Sequence, residues 1–367
     1  MKHLIGIFAG LCFLQAVYGQ DMSTSKIDSL LPVRGLAISA PSSQRVDDFL
    51  KFVEEELVPA HFNMLILQID WNYEYECHPE LRTLRPLTKA DIKKIVAFCK
   101  KYNITLAPQV NLLGHQSWGA TPNTLLREYP QFDEAPNDTI VPYCKSYCPL
   151  HPDIHEIIFA AIDEIMDVFE AEYFHAGMDE VFYIGEDQCP RCRGRDKAEL
   201  FAGEVTRIYN HLALKNRKMM IWGDRLLDGK TTGIGMWEAS MNNTYRAIDM
   251  IPKEVFICDW HYERPELTSV YFAMKGFNVA TCPWYLPDAT AIQLKNMVAF
   301  RQQSTPMMKR HFQGMIQTVW RNVDVFLKYY YDPETYKIKE GTRQELIKTG
   351  DARSLKRMIE ECKKLNE

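Results

Sequence analysis

The strongest constraint on this chain is the rhythm of its apolar runs. Eight runs of strand length recur along 367 residues, and helical spacing fills most of the gaps between them. The runs are 34–40 (RGLAISA), 63–70 (NMLILQID), 104–110 (ITLAPQV), the stretch EYFHAGMDEVF beginning at 172, 218–224 (KMMIWGD), 254–260 (EVFICDW), 277–284 (FNVATCPW) and 314–320 (GMIQTVW). Near-continuous apolar runs are what strands buried on both faces require. Helical spacing covers 43–58, 88–102, 152–170, 196–215, 266–276, 289–311 and a tail from about 343. In 152–170, Ile154, Ile157, Ile158, Ala161, Ile162 and Ile165 recur on one stripe. Alternation of this kind predicts an α/β chain with a parallel sheet, and eight repeats predict a single-domain (β/α)8 TIM barrel. The rival, an open doubly wound sheet, lacks a Gly-rich fingerprint after its first strand.

Lys2, the apolar stretch Leu4 to Val17, and the small residues Val17 and Gly19 predict a signal peptide over 1–19. A leader is expected over 20–32, and the barrel with its helical tail over 33–367. The chain is therefore expected to be exported, periplasmic or secreted. A net charge of -5, with no basic run, argues against a nucleic-acid partner. No later stretch has the length and apolarity of a membrane span.

Export bears on the ten cysteines, of which Cys12 leaves with the signal. Cys144-x-x-x-Cys148 and Cys189-x-x-Cys192 flank the fourth strand and read as an exposed structural cluster. Two disulfides suit an exported protein; a four-thiolate zinc site is the alternative. Cys99, Cys258 and Cys282 sit in apolar runs and read as core thiols. No cofactor is expected.

A barrel carries its chemistry at the C-terminal ends of its strands. Those ends supply Asp70, His115 in the segment after strand three, and the adjacent Asp179 and Glu180. They continue with Trp222 and Asp224, Asp259, Trp260 and Tyr262, then Trp284, and finally Trp320 and Arg321. Four of the seven tryptophans thus fall at the ends of consecutive strands. Aromatic faces with interspersed acids suit a sugar ring, whose C–H faces stack while its hydroxyls bond to carboxylates. The bland alternative is that these tryptophans cap the core. Neighbours on a strand point to opposite sides. Asp179 and Glu180 can share a cavity only if the backbone turns after the strand. Two nearby carboxylates then resist double ionisation, which keeps a proton available for general acid work. The long segment 111–150, without clear periodicity, reads as a functional loop.

These motifs together resemble a family. FHAGMDEV is similar to the His-x-Gly-x-Asp-Glu signature of family 20 glycoside hydrolases, the β-N-acetylhexosaminidases. RGLAIS, APQVNLLGHQS, CDWHY and IQTVW resemble that family's first-, third-, sixth- and eighth-strand segments, so the likeness runs from about 33 to 325. The smaller, hexosaminidase D-like members are the nearest in outline. The resemblance implies an exo-acting, retaining enzyme in which the substrate's own 2-acetamido oxygen attacks the anomeric carbon through an oxazolinium intermediate. Its partners would be glycans with terminal β-linked N-acetylhexosamine. It further implies Glu180 as acid and then base, Asp179 as holder of the acetamido N–H, and Tyr262 as donor to the acetamido oxygen. Arg34 would grip distal hydroxyls, and Trp260 and Trp320 would wall the sugar. His115 and His175 would support the carboxylates from behind. One departure is Trp320-Arg321-Asn322, where many members carry Trp-x-Glu. A non-catalytic glycan-binding barrel and another acetamido-assisted hydrolase are the competing readings.

Overall fold

Eight parallel strands close on themselves in the computed structural model, which describes residues 25–138, 144–332 and 343–367. The expected signal peptide lies outside the described residues. The strands are β1 (Val33–Ser39), β2 (Met64–Gln68), β3 (Thr105–Leu112), β4 (Tyr173–Gly177), β5 (Lys218–Trp222), β6 (Phe256–Trp260), β7 (Val279–Cys282) and β8 (Phe312–Val319). Each pairs with the next in parallel, and β8 closes on β1 from Val33↔Gly314 to Ile38↔Val319. This is the (β/α)8 barrel that the alternation predicts.

The period-2 alternation of each strand sorts side chains into two cores. Ala37, Ile66, Ala107, Met220, Cys258, Ala280 and Ile316 fill the lumen. Leu36, Ile38, Leu65, Leu67, Met219, Ile221 and Ile257 face outward and are sealed by helices. Each such aliphatic side chain contributes about 1.5–3 kcal/mol by leaving water. The covering helices include α1 (Lys26–Leu30), α2 (Val46–Phe52), α3 (Lys89–Lys101), α4 (Ile154–Phe169), α5 (Lys197–Ala213), α6 (Thr268–Met274), α7 (Pro287–Gln303), α8 (Val323–Tyr331) and α9 (Arg343–Asn366). α3 starts at a reciprocal capping box between Thr88 and Asp91 and buries Ile92, Ile95, Val96 and Cys99. Among the described residues, no helix is long and apolar enough to cross a membrane.

Two expectations need correction. The second half of the supposed leader is the helix α1, capped by Ser25, with Ile27 and Leu31 fully buried. The helix read over 289–311 ends at Gln303, and a separate turn, Pro306–Lys309, follows; a proline inside the helix would remove a backbone donor. α8 was not anticipated, although Asn322 caps it by accepting from Val325 N at 2.9 Å. α9 buries Leu355, Met358, Ile359 and Cys362, so Cys362 is a core thiol despite its charged neighbours. Arg321 pairs with Asp351 of α9 and donates to Ile347 O at 2.7 Å, which ties the end of β8 to this helix.

Candidate active site

The chain leaves β4 through a run of left-handed backbone: Gly177 (φ 69°), Met178 (φ 70°) and Glu180 (φ 51°). That turn brings Asp179 and Glu180 to the same side. His115 Nε2 lies 3.0 Å from Asp179 Oδ2 and 3.4 Å from Glu180 Oε2. His115 is itself left-handed (φ 58°), as are Leu113 (φ 62°) and Asp70 (φ 46°) at the neighbouring strand ends. Non-glycine residues seldom adopt this region, at a cost of order 1–3 kcal/mol each, so their concentration here marks a site that the surrounding fold holds in place. Gly114 explains how the β3 and β4 loops fit together. A Cβ there would stand 2.5 Å from Asp179 O, so only glycine lets the two backbones meet.

The carboxylates are fixed from below. Glu180 N donates to Asp224 Oδ2 at 2.9 Å, Trp260 Nε1 to Asp224 Oδ1 at 3.2 Å, and Arg225 Nε to Asp224 Oδ2 at 2.6 Å. Arg225 continues to the carbonyls of Met236, Trp237 and Ala239. Asp224 is therefore the positioning residue for the Glu180 backbone. Its place at the end of β5 was visible in the sequence, but its role was not. Asp70 accepts from Asn111 N at 2.8 Å and from Gln68 Nε2 at 2.9 Å, bracing the β2 and β3 ends.

The electrostatics separate the two acids. Burial opposes charge on Asp179, yet the His115 charge and hydrogen bond outweigh it and hold this carboxyl below its ordinary value. Burial opposes charge on His115 as well, but the Asp179 carboxylate keeps the imidazole protonated well above its usual range. Glu180 is pushed up to about 8 by burial first and by the Asp179 charge second. At neutral pH the pair is thus one carboxylate and one carboxylic acid. Burial also raises Asp70.

The aromatic residues are not an even rim. Trp222 is fully buried, with His175 packed against it at 4.4 Å and Trp320 at 5.4 Å between ring centres. Trp222 and His175 form a floor, and His175 Nδ1 accepts from Gly177 N at 3.1 Å, which steadies the turn before the carboxylates. Above them Tyr262 accepts from Trp320 Nε1 at 2.6 Å and packs 4.7 Å from Trp260 and 5.1 Å from Trp284. An open cavity of about 480 Å³ adjoins this site along the ends of β1 to β3, with Asp70, Trp71, Asn111 and His115 in its lining.

Two sequence expectations fail. Arg34 is not in the site. It stands at the opposite, N-terminal end of β1 on the outward face, 3% exposed. There it donates to Leu31 O and His61 O, both at 2.6 Å, and pairs with Asp28 at 2.8 Å. Strand alternation sends Arg34 outward with Leu36 and Ile38, while Val33 and Ala37 line the lumen. The cysteine cluster is also redrawn. All four cysteines are buried, and Cys144 stands apart, its thiol directed at Glu180 O at 3.8 Å. The fourth position beside Cys148, Cys189 and Cys192 is taken by Glu134 rather than by Cys144.

The geometry agrees with comparisons to known proteins. A family model described as glycosyl hydrolase family 20, catalytic domain, matches residues 70–324. The chain is 26% identical over 176 residues to hexosaminidase D of Bos taurus, covering 45% of this chain and 48% of that protein. It is 27% identical over 189 residues to a beta-hexosaminidase of Akkermansia muciniphila, covering 44% of this chain and 37% of that one. The chain thus spans less than half the length of these curated relatives. Its fold is similar to that of a chitobiase from Flavobacterium johnsoniae, with a TM-score of 0.61 at 17% identity over 91% of this chain and 51% of that one.

Proposed function

The chain belongs to glycosyl hydrolase family 20, and on that premise we propose that it is an exo-acting, retaining β-N-acetylhexosaminidase that uses the substrate's acetamido group as nucleophile. The observation that carries this reading is the placement of Asp179 and Glu180 on one imidazole at the mouth of the barrel, 3.0 and 3.4 Å from His115 Nε2, where burial and the Asp179 charge favour a protonated Glu180. A general acid must hold its proton at the working pH, and Glu180 does. Asp179, ionised, accepts the acetamido N–H and balances the positive charge that develops as the oxazolinium ring closes. One oxygen of Asp179 and one of Glu180 lie within 4.8 Å of each other, closer than the roughly 6.5–9.5 Å that a directly attacking water needs between two carboxyls. That spacing supports retention, and the hydrogen bond and charge of His115 commit Asp179 to holding the acetamido group.

Tyr262 would donate to the acetamido oxygen: its hydroxyl accepts from Trp320 Nε1, which leaves its own proton for the substrate. Trp260, Trp284 and Trp320 wall the sugar and its acetamido methyl, over the Trp222 and His175 floor. After the glycosidic bond breaks, Glu180 has given its proton to the leaving oxygen and acts as base for the water that opens the oxazolinium ring. A panel of aryl β-N-acetylhexosaminides tests the reading. Release of the aryl group is expected from a GlcNAc or GalNAc member, and Glu180→Gln is expected to reduce kcat by at least about 100-fold. Wild-type turnover in that variant contradicts the assignment.

A further inference from the structure

Beside the carboxylate site, four buried side chains converge. Glu134 lies in the loop between β3 and α4, Cys148 just before α4, and Cys189 and Cys192 in the loop after β4. The Cys148 sulfur is 3.4 Å from the sulfurs of both Cys189 and Cys192, and one atom from each of the four residues lies within 4.8 Å of every other. None is more than 2% exposed.

We propose that Glu134, Cys148, Cys189 and Cys192 form a structural zinc site. The sulfur spacing exceeds the roughly 2.05 Å of a disulfide bond. It approaches the ~3.8 Å expected between two thiolates on one tetrahedral Zn2+. A disulfide would engage two of the three sulfurs and leave a thiol and a carboxylate buried beside it. Glu134 is the discriminating residue. Its Oε1 accepts from Glu186 N at 3.1 Å, but its fully buried Oε2 meets no N–H or O–H donor, and the polar groups left beside the carboxylate are the thiols of Cys189, Cys192 and Cys148. A buried carboxylate without a counter-charge is costly, and a divalent cation bound by thiolates removes that cost. Four protein ligands leave no open position, so the ion holds structure and does no chemistry.

The site would fasten the loop before α4 to the loop after β4. Cys144, whose thiol meets the Glu180 carbonyl, lies between Glu134 and Cys148. The inference stands apart from the sugar chemistry, because none of the four groups touches the Asp179–Glu180 pair.

Metal analysis of the full chain, purified from zinc-containing medium without chelator, tests it. The expected result is about one zinc per chain, retained in Cys77→Ser and Cys144→Ser, lost in Cys192→Ser and held more weakly against a competing chelator in Glu134→Gln. A second measurement needs no variant. An organomercurial titration of the wild-type protein should release the zinc as these thiols react, and the chelated protein should melt at a lower temperature. A zinc-free protein with Cys148 in a disulfide to Cys189 or Cys192 overturns the proposal. So does full zinc retention in Cys192→Ser, or unchanged retention in Glu134→Gln.

Discussion

Glu180 keeps its proton near neutral pH because burial and the Asp179 charge both oppose its ionisation, while His115 holds Asp179 in the opposite state. The acid role needs the protonated form. On this account kcat/KM, which reports the free enzyme, falls as pH rises through about 8. In Asp179→Asn one of the two opposing influences is gone. The alkaline limb of the residual activity is expected at lower pH, still above the ordinary glutamate value because burial remains. A pH–rate profile of both proteins checks this, and a limb unmoved by the substitution speaks against the coupling. Stability follows the same group. A folded-state pKa raised from 4.5 to about 8 stabilises the fold fully below 4.5, and that stabilisation disappears as pH rises through about 8. Thermal melts should therefore show Glu180→Gln gaining on the wild type as pH increases across that window.

At the scale of the element, the site depends on how the β3 and β4 loops press together. Gly114→Ala places a methyl group 2.5 Å from Asp179 O, against backbone that has no flexible end to yield. Activity is expected to fall at least about tenfold while the circular dichroism spectrum stays native, since a misplacement of about 1 Å costs rate steeply. Unchanged kcat/KM would show that the contact does not position Asp179. The strands were legible because runs such as NMLILQID and KMMIWGD carry their burial in their composition. The turn that aims the two acids was not, because Met178 and Glu180 adopt left-handed backbone without being glycine or asparagine. Only the packing of the neighbouring loops imposes it. The cysteine cluster shows the same limit. Spacing suggested four thiols, but loop placement sends Cys144 to Glu180 and brings in Glu134, which no cysteine count could reveal. α8 lies outside the eight-strand rhythm, yet its Asn322 cap and the apolar spacing of Val323, Phe326 and Tyr330 are legible in the sequence.

For the molecule as a whole, the barrel has two ends with different duties. The C-terminal end gathers Asp70, His115, Asp179, Glu180, Asp224 and the tryptophans, while the N-terminal end is held by contacts such as those of Arg34. Its resemblance to a family motif suggested a sugar-binding role, yet its position on the outward face at the start of β1 assigns it to stability. Arg34→Ala is expected to cost about 2–4 kcal/mol in denaturant unfolding, from lost charge-assisted bonds to Asp28, Leu31 and His61. KM should not change; a large rise in KM with little loss of stability would return Arg34 to the site. The central claim concerns the nucleophile, and one comparison reaches it directly: kcat/KM for an aryl β-GlcNAc glycoside against the aryl β-glucoside with the same leaving group. If the substrate's acetamido oxygen attacks, removing it should lower kcat/KM by at least about 1,000-fold, and Asp179→Asn should narrow that gap. Comparable turnover of the two glycosides would contradict the account.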